Sequence, residues 1–291
     1  MTENVVIVGP GRMGLALGMA LRQEGVVDHL TYYGRALEPP PHPLFDAGEQ
    51  EGAGYRIGPH PVPAGTTALI LAVPDSALGD VAYDLSLAGP APPGCAALHL
   101  SGALSTDALG PLHAAGYSVG SLHPLQAVAD PWSAGDRLVG SAFAVAGEPA
   151  AVATARRLVD GLGGRALLIP PTLRPLYHAA AVFASNYLVA LIAIAVRLLQ
   201  QASVPEEDAL PAILPLVRGT LDNLEKLGVP AALTGPIPRG DADTVRLHLA
   251  RLSAEDRELY SALGRELLRL AHAAGLDERR AAEIESLLSR P

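Results

Sequence analysis

The chain has 291 residues, 49% of them hydrophobic, and a formal net charge of −9. That length allows two domains with substantial cores, and that apolar content excludes a disordered chain. The acidic balance speaks against broad binding to nucleic acid or to an anionic membrane surface. In chain order, Val5-Val6-Ile7-Val8 reads as a buried parallel strand. It runs through Gly9-Pro10-Gly11-Arg12-Met13-Gly14 into a helical stretch, Leu15 to Glu24. This is the strand–turn–helix setting of a dinucleotide fingerprint. Gly9 permits the tight turn, Gly11 lets the backbone approach a pyrophosphate, and Gly14 allows the helix to pack closely on the strand. The open N–H groups at the helix start, with Arg12 and Met13 in the first turn, then face the phosphates. The first strand starts at residue 5, which leaves no room for a signal peptide.

The second strand, His29 to Tyr33, is followed by Gly34-Arg35. An NAD-binding chain usually places Asp or Glu here, to hold the ribose 2′-hydroxyl. This chain has no carboxylate at that point and offers Arg35, whose guanidinium can pair bidentately with a 2′-phosphate. NADP is therefore expected over NAD, the alternative for Arg35 being a solvated loop arginine. Ala36 to Gly65 is rich in proline and glycine, so the second crossover helix is expected to be short or missing.

Alternation then resumes. Ala68 to Val73 is a strand ending in Pro74-Asp75, with a helix from about Ser76. Cys95 to Leu100 is a strand ending in Ser101-Gly102. Strands at Tyr117–Gly120 and Ala142–Val145, a helix at Glu148–Leu162 and a last strand at Ala166–Ile169 complete the series. Such alternation means a doubly wound α/β sheet with ligands at the strands' carboxyl ends. Val73 and Pro74 are thus expected to line the cofactor crevice, with Ser101 beside it. Ser121-Leu122-His123-Pro124-Leu125-Gln126 is read as following a strand. His123, held by Pro124, can orient a substrate carboxylate or carbonyl there, or serve as a structural loop histidine. The lone cysteine, Cys95, cannot form an internal disulfide, so a reduced, cytoplasmic setting is expected.

Beyond Pro170-Pro171 only helices are predicted, over about Pro175–Gln201, Glu206–Leu227, Asp241–Leu252, Ala254–Ala274 and Glu278–Ser289. The expected division is a dinucleotide-binding domain at 1–170 and an all-helical substrate and dimerisation domain at 171–291. Leu176 to Leu199 is strongly apolar, but His178, Asn186 and Arg197 interrupt it. It is read as a mostly buried central helix and not as a membrane span. At about 100° per residue, Arg174 lies about 40° from His178, Ser185 about 20° and Asn186 about 80°. These four share one polar stripe, to be satisfied either by a substrate crevice or by an interhelical hydrogen-bond network. Thr234 to Gly240 is a rigid loop with Asp241 as the following N-cap. Arg239 within it can reach an anionic substrate or pair with Asp241. The only lysine among 21 Lys and Arg residues, Lys226, precedes Gly228 at a helix end and looks structural. No metal-ligand cluster is apparent.

Several of these motifs together resemble one family. They are Gly9-Pro10-Gly11-Arg12-Met13-Gly14, Leu71-Ala72-Val73-Pro74-Asp75, Ser121 through Gln126, Tyr177-His178-Ala179-Ala180-Ala181 through Ser185-Asn186, and Thr234-Gly235-Pro236 with Arg239-Gly240-Asp241. Across nearly the whole chain they resemble the bacterial proteins that pair a Rossmann-like domain with a DUF2520 domain, within the larger 6-phosphogluconate-dehydrogenase-like superfamily. The resemblance implies an N-terminal Rossmann sheet with an all-helical, dimer-forming C-terminal domain. It also implies an NADP-dependent oxidoreductase, and names no substrate. Related branches include prephenate dehydrogenases, which share a His-Pro pair after a strand, and ketopantoate and pyrroline-5-carboxylate reductases. Several branches carry a lysine and an asparagine on the first long helix. Asn186 matches the asparagine, whereas Arg174 stands near the lysine's place and cannot donate a proton near neutral pH.

The expected activity is hydride transfer between NADPH and a small carbonyl or imine compound, a carboxylate such as a ketopantoate-like 2-oxo acid. His178 is expected to be the general acid/base, with His123 as its rival. Asn186 and Ser101 would polarise the carbonyl, and Arg239 or Arg174 would hold the carboxylate. A sensor or scaffold that binds NADP(H) without turnover is the alternative, since the lysine position is lost and no conspicuous triad is present. Apolar faces at Tyr187–Leu199, Ala209–Val217 and Leu259–Leu270 exceed what one small helical domain hides, so a homodimer through that domain is expected.

Overall fold

The structure, a computed structural model, describes residues 2–46, 48–132 and 135–289. Glu3–Val8 (β1) leads through Gly9 into the helix Arg12–Gln23 (α1). Val5, Val6 and Ile7 are all buried, as suits a parallel strand covered on both faces. Val27–Gly34 (β2) follows. The Pro- and Gly-rich stretch then forms two one-turn helices, Pro43–Asp46 (α2) and Gly48–Glu51 (α3), in place of a full crossover helix. It also supplies a short strand, Gly54–Ile57 (β3), which the sequence does not announce.

Ala68–Leu71 (β4) passes through a 3₁₀ turn into Leu78–Ala88 (α4). Ala96–His99 (β5) and Gly110–Ala114 (α5) come next. Ser118–Pro124 (β6), Gly135–Leu138 (α6), Ala142–Gly147 (β7), Pro149–Gly161 (α7) and Arg165–Leu168 (β8) complete the α/β part. The eight strands form one sheet in the order β3-β2-β1-β4-β5-β6-β7-β8. Among the described residues only β6 and β7 are antiparallel neighbours. The order of the first six is that of doubly wound dinucleotide folds, and the winding reverses between β1 and β4. A ligand crevice is thereby set beyond the carboxyl ends of those two strands.

One face of the sheet packs α1 and α7 around Ile7, Leu17, Tyr32, Leu98 and Phe143. The other packs α4 and α5 around Leu69, Leu71, Leu78, Leu112 and Tyr117. Each such side chain contributes about 1.5–3 kcal/mol by leaving water. One sequence expectation changes here. Ser121 to Pro124 belong to β6 and do not form a loop after it, because Ser121 pairs with His99 of β5 and His123 with Ala144 of β7. Pro124, which lacks an N–H, is accommodated at the strand's end.

By its contacts the chain forms two compact units, Met1–Val189 and Ala190–Pro291. The single helix expected over residues 175–201 is two, Arg174–Ala184 (α8) and Asn186–Gln201 (α9). Ser185 interrupts them with φ −119° and ψ −72°, although its N–H still bonds the Ala181 carbonyl at 3.0 Å. Although α8 lies past residue 170, it counts with the first unit, and Arg174 in its first turn shows why (below). The expectation that this apolar stretch is mostly buried is overturned within a single chain. Leu176 is 70%, Phe183 67% and Val189 67% exposed.

In the second unit, Glu206–Leu227 (α10) coincides with its sequence expectation, bracketed by Pro205 and Gly228. Pro236–Arg239 (α11) is one helical turn inside the segment read as a loop. Ala242–Arg251 (α12), Ala254–Ala273 (α13) and Glu278–Leu288 (α14) each start at a side-chain acceptor. Asp241, Ser253 and Asp277 accept the N–H groups of Thr244, Asp256 and Arg280. Ile237, Val245, Leu268, Ile284 and Leu288 form this unit's core.

Candidate functional site

The glycine turn after β1 has the shape its spacing predicts. Gly9 sits at φ +103°, and a Cβ there would lie 2.6 Å from the Ala72 carbonyl oxygen and 3.1 Å from Val73. A Cβ on Gly14 would strike the Gly9 carbonyl, whereas Gly11 has nothing within 4 Å and opens onto free space. No side chain caps α1 and its first turn carries no acidic residue, so its amides remain open toward that space. The Tyr32 hydroxyl, on β2, donates to the Gly14 carbonyl at 2.9 Å and fixes the turn against the next strand. These features fit a dinucleotide pyrophosphate: a cradle without Cβ atoms, an open helix start and no competing carboxylate.

Arg35 is exposed just past the end of β2. Among the described residues no carboxylate pairs with it, so its guanidinium is free for an anion. Arg12 is exposed and Met13 half-buried in the first turn of α1. Val73 is half-buried against Gly9, and Pro74 is exposed at the mouth of the crevice.

Beyond the carboxyl ends of β4 and β5 lies a polar cluster. The Ser101 hydroxyl donates to Asp75 Oδ2 at 2.9 Å and accepts from the Leu104 N–H at 3.0 Å. That commits Ser101 to linking the turn after β4 with the turn after β5. Next to it, a Cβ on buried Gly102 would strike His178 Nδ1 and lie 2.8 Å from His123 Nε2. The two imidazoles therefore meet over one α-carbon, with ring centroids 5.8 Å apart and planes at 82°. The Tyr177 hydroxyl lies 2.8 Å from His123 Nδ1. His178 Nδ1 is buried and has no hydrogen-bond partner among the described residues.

Arg174 organises this cluster from below. It is fully buried. Its Nε–H donates to the Leu104 carbonyl at 2.8 Å, one terminal nitrogen to Ser121 Oγ at 2.7 Å, and the other to the Ser101 carbonyl. The guanidinium is thus spent on internal acceptors and does not serve as the carboxylate clamp that sequence reading allowed. The polar stripe inferred for this helix resolves partly into such a network. Burial, then His178 and the Arg174 charge, push His123 down to about 4. Burial, then Arg174, push the wholly buried His99 at the end of β5 down to about 4 as well. Both imidazoles are neutral near pH 7.

Asn186 is exposed at the start of α9, past the break at Ser185. Arg239 is exposed in the second unit, where its carbonyl accepts from Arg280 at 3.4 Å. Asp241 is held below the usual carboxylate range mainly by the Thr244 N–H and hydroxyl, with Arg239 a lesser influence. Sequence reasoning placed Gly102 beside the crevice but gave Tyr177 and His99 no role. The adjacency of Tyr177 to His178 was the available signal for the first. His99 looked like one more residue of an apolar strand.

The sequence matches two family models, the Rossmann-like domain over residues 2–124 and the domain of unknown function DUF2520 over residues 141–267. The chain thus matches a Rossmann-like domain followed by a DUF2520 domain. Among solved structures it is similar to a protein of Thermotoga maritima, at 22% identity and TM-score 0.69, covering 93% of this chain and 99% of the other. It is also similar to a candidate NADP oxidoreductase from Bacteroides fragilis, at 22% identity and TM-score 0.65, covering 91% and 98%. A third is a Plasmodium falciparum pyrroline carboxylate reductase with NADP bound, at 14% identity and TM-score 0.60, covering 99% and 98%. At these identities the likeness establishes the fold. No curated protein matches the sequence.

Proposed function

We propose that the protein is an NADP-dependent oxidoreductase acting on a small carbonyl or imine compound that bears a carboxylate, with a ketopantoate-like 2-oxo acid as the first candidate. The observation that carries this reading is the joining of two features within one compact unit. The phosphate cradle of Gly9 to Gly14 and the imidazole pair over Gly102 are connected through Val73, Asp75 and Ser101. The NADP-bound reductase of the same fold supports the choice of cofactor. NADPH, when bound, supplies a hydride. The chain's own residues have three tasks: to bind the pyrophosphate at α1, to hold the substrate oxygen or nitrogen near the imidazoles, and to deliver a proton to it. His178, with an Nδ1 that has no partner among the described residues, is the acid/base of this reading. A reduced, cytoplasmic setting belongs to the same reading, and buried Cys95, whose thiol burial pushes up to about 12, is inert in it.

The test is incubation with NADPH and a panel of 2-oxo acids and imines, and with NADP and 2-hydroxy acids, following the nicotinamide absorbance. Substrate-dependent turnover supports the reading; tight NADPH binding with no turnover on any member would favour a binding-only sensor. For the cofactor, Arg35→Ala is expected to weaken NADPH binding by about 1.5–3 kcal/mol and leave NADH binding nearly unchanged. Calorimetric titration with both cofactors checks this, and equal losses would remove the 2′-phosphate role.

A homodimer formed through the helices is part of the proposal. Residues 171–201 are long and apolar enough to cross a membrane by length and composition alone. However, exposed Arg197 on α9 pairs with buried Asp256 of α13, and an exposed charge of that kind is costly in lipid. A second copy is the better cover for exposed Leu176, Phe183 and Val189. Sedimentation is expected to give about twice the 30.0 kDa chain mass, and a species at the chain mass would defeat the dimer.

A further inference from the structure

The two imidazoles over Gly102 are not equivalent, and the difference begins at Tyr177. The phenol of Tyr177 is half-buried, and burial raises its pKa, so it keeps its proton. Among the described residues the hydroxyl's one hydrogen-bond partner is His123 Nδ1, at 2.8 Å. If Nδ1 carried the imidazole hydrogen, the phenol would have to accept, and its own proton would lack an acceptor in the protein. If the phenol donates, Nδ1 presents a lone pair. A neutral imidazole then carries its single hydrogen on Nε2, the nitrogen that points over Gly102. His178 Nδ1 faces the same space with no partner of its own.

We propose that Tyr177, by donating to His123 Nδ1, fixes His123 as the Nε2–H tautomer, a permanent hydrogen-bond donor to the substrate's carbonyl oxygen or imine nitrogen, while His178 alone exchanges the proton. This rests on the oxidoreductase reading. As the substrate carbon accepts a hydride, the π electron pair moves onto the oxygen or nitrogen. Protonated His178 gives that atom its proton and is reprotonated from solvent; His123 keeps its hydrogen throughout. The charged and titratable groups facing His123 agree with a fixed neutral donor. His178, Tyr177 and Arg174 come from α8, His99 from β5 and Asp75 from the turn after β4. The buried Arg174 cation and a protonated His178 both oppose a second positive charge on His123, against the single, exposed carboxylate of Asp75. Tyr177 is a positioning residue, and His123 the group that touches substrate.

The experiment is long-range proton–nitrogen NMR on ligand-free protein labelled with ¹⁵N-histidine, with the His123 signals assigned by their loss in His123→Gln. The expected result is a protonated Nε2 and an unprotonated Nδ1 in the natural protein, and a mixed or reversed tautomer in Tyr177→Phe. A protonated Nδ1 in the natural protein, or a tautomer unchanged in Tyr177→Phe, would overturn the proposal. In turnover, Tyr177→Phe is expected to lower kcat about tenfold with little change in KM; an unchanged kcat would count against the donor role. The NMR result does not depend on turnover, so its failure is separate from that of the oxidoreductase reading, which the substrate panel decides.

Discussion

His178→Gln is expected to lower kcat by about 10²–10⁴-fold, the usual contribution of a positioned general acid, while NADPH binding stays as it was. The expectation follows from geometry. Among the described residues His178 Nδ1 is a buried ring nitrogen without a partner, and leaving such a group unsatisfied costs about 1–3 kcal/mol in the resting protein. In the proposed reaction a substrate oxygen or nitrogen over Gly102 would satisfy it and receive its proton. Glutamine preserves much of the volume and a polar tip but cannot exchange a proton near neutral pH, so the loss should fall on kcat and not on folding. His123→Gln is the comparison. As a fixed donor, His123 should matter by about 10²–10³-fold. Full turnover in His178→Gln together with none in His123→Gln would exchange the two roles.

The parts of this arrangement that depend on local spacing are readable in the sequence. Gly9, Gly11 and Gly14 announce the cradle because each answers a steric demand within six residues. α10 is read to the residue because Pro205 and Gly228 punctuate it. β3 escapes notice because four residues inside a Pro- and Gly-rich stretch show no periodicity; only pairing with β2 makes them a strand. His123 is misread as a loop residue because a following proline normally ends a strand, whereas β7 pairs with β6 up to Pro124. The angles drawn for Arg174, His178, Ser185 and Asn186 assume an unbroken helix, and the break at Ser185 takes Asn186 out of that frame. Arg174 shows the wider limit. Its three acceptors lie 53 to 73 residues away in sequence, and no local pattern marks it as a structural pin.

Removing that pin should have the largest effect on stability. Arg174→Met is expected to destabilise the fold by about 2–4 kcal/mol near pH 7.5. It strands the Leu104 and Ser101 carbonyls and the Ser121 hydroxyl, each worth about 1–3 kcal/mol when left unsatisfied, and the total is offset by relief of the cost of burying a guanidinium. The loss should diminish in acid. His99 and His123 are held near 4 in the folded protein, against about 6.5 in an unfolded chain. Between those values the unfolded chain binds protons that the folded imidazoles refuse. The stability conferred by the two groups is therefore fully present above about pH 6.5 and drains away as the pH falls toward 4. Burial is the main cause of both shifts, but the Arg174 charge adds to each. Without it both folded pKa values rise and the variant loses less on acidification than the natural protein does. Urea unfolding at about pH 7.5 and about pH 5 measures both effects. A variant within about 0.5 kcal/mol of the natural protein at the higher pH would mean that water or rearrangement replaces the guanidinium. A gap that widened in acid would mean that Arg174 does not hold the imidazoles neutral.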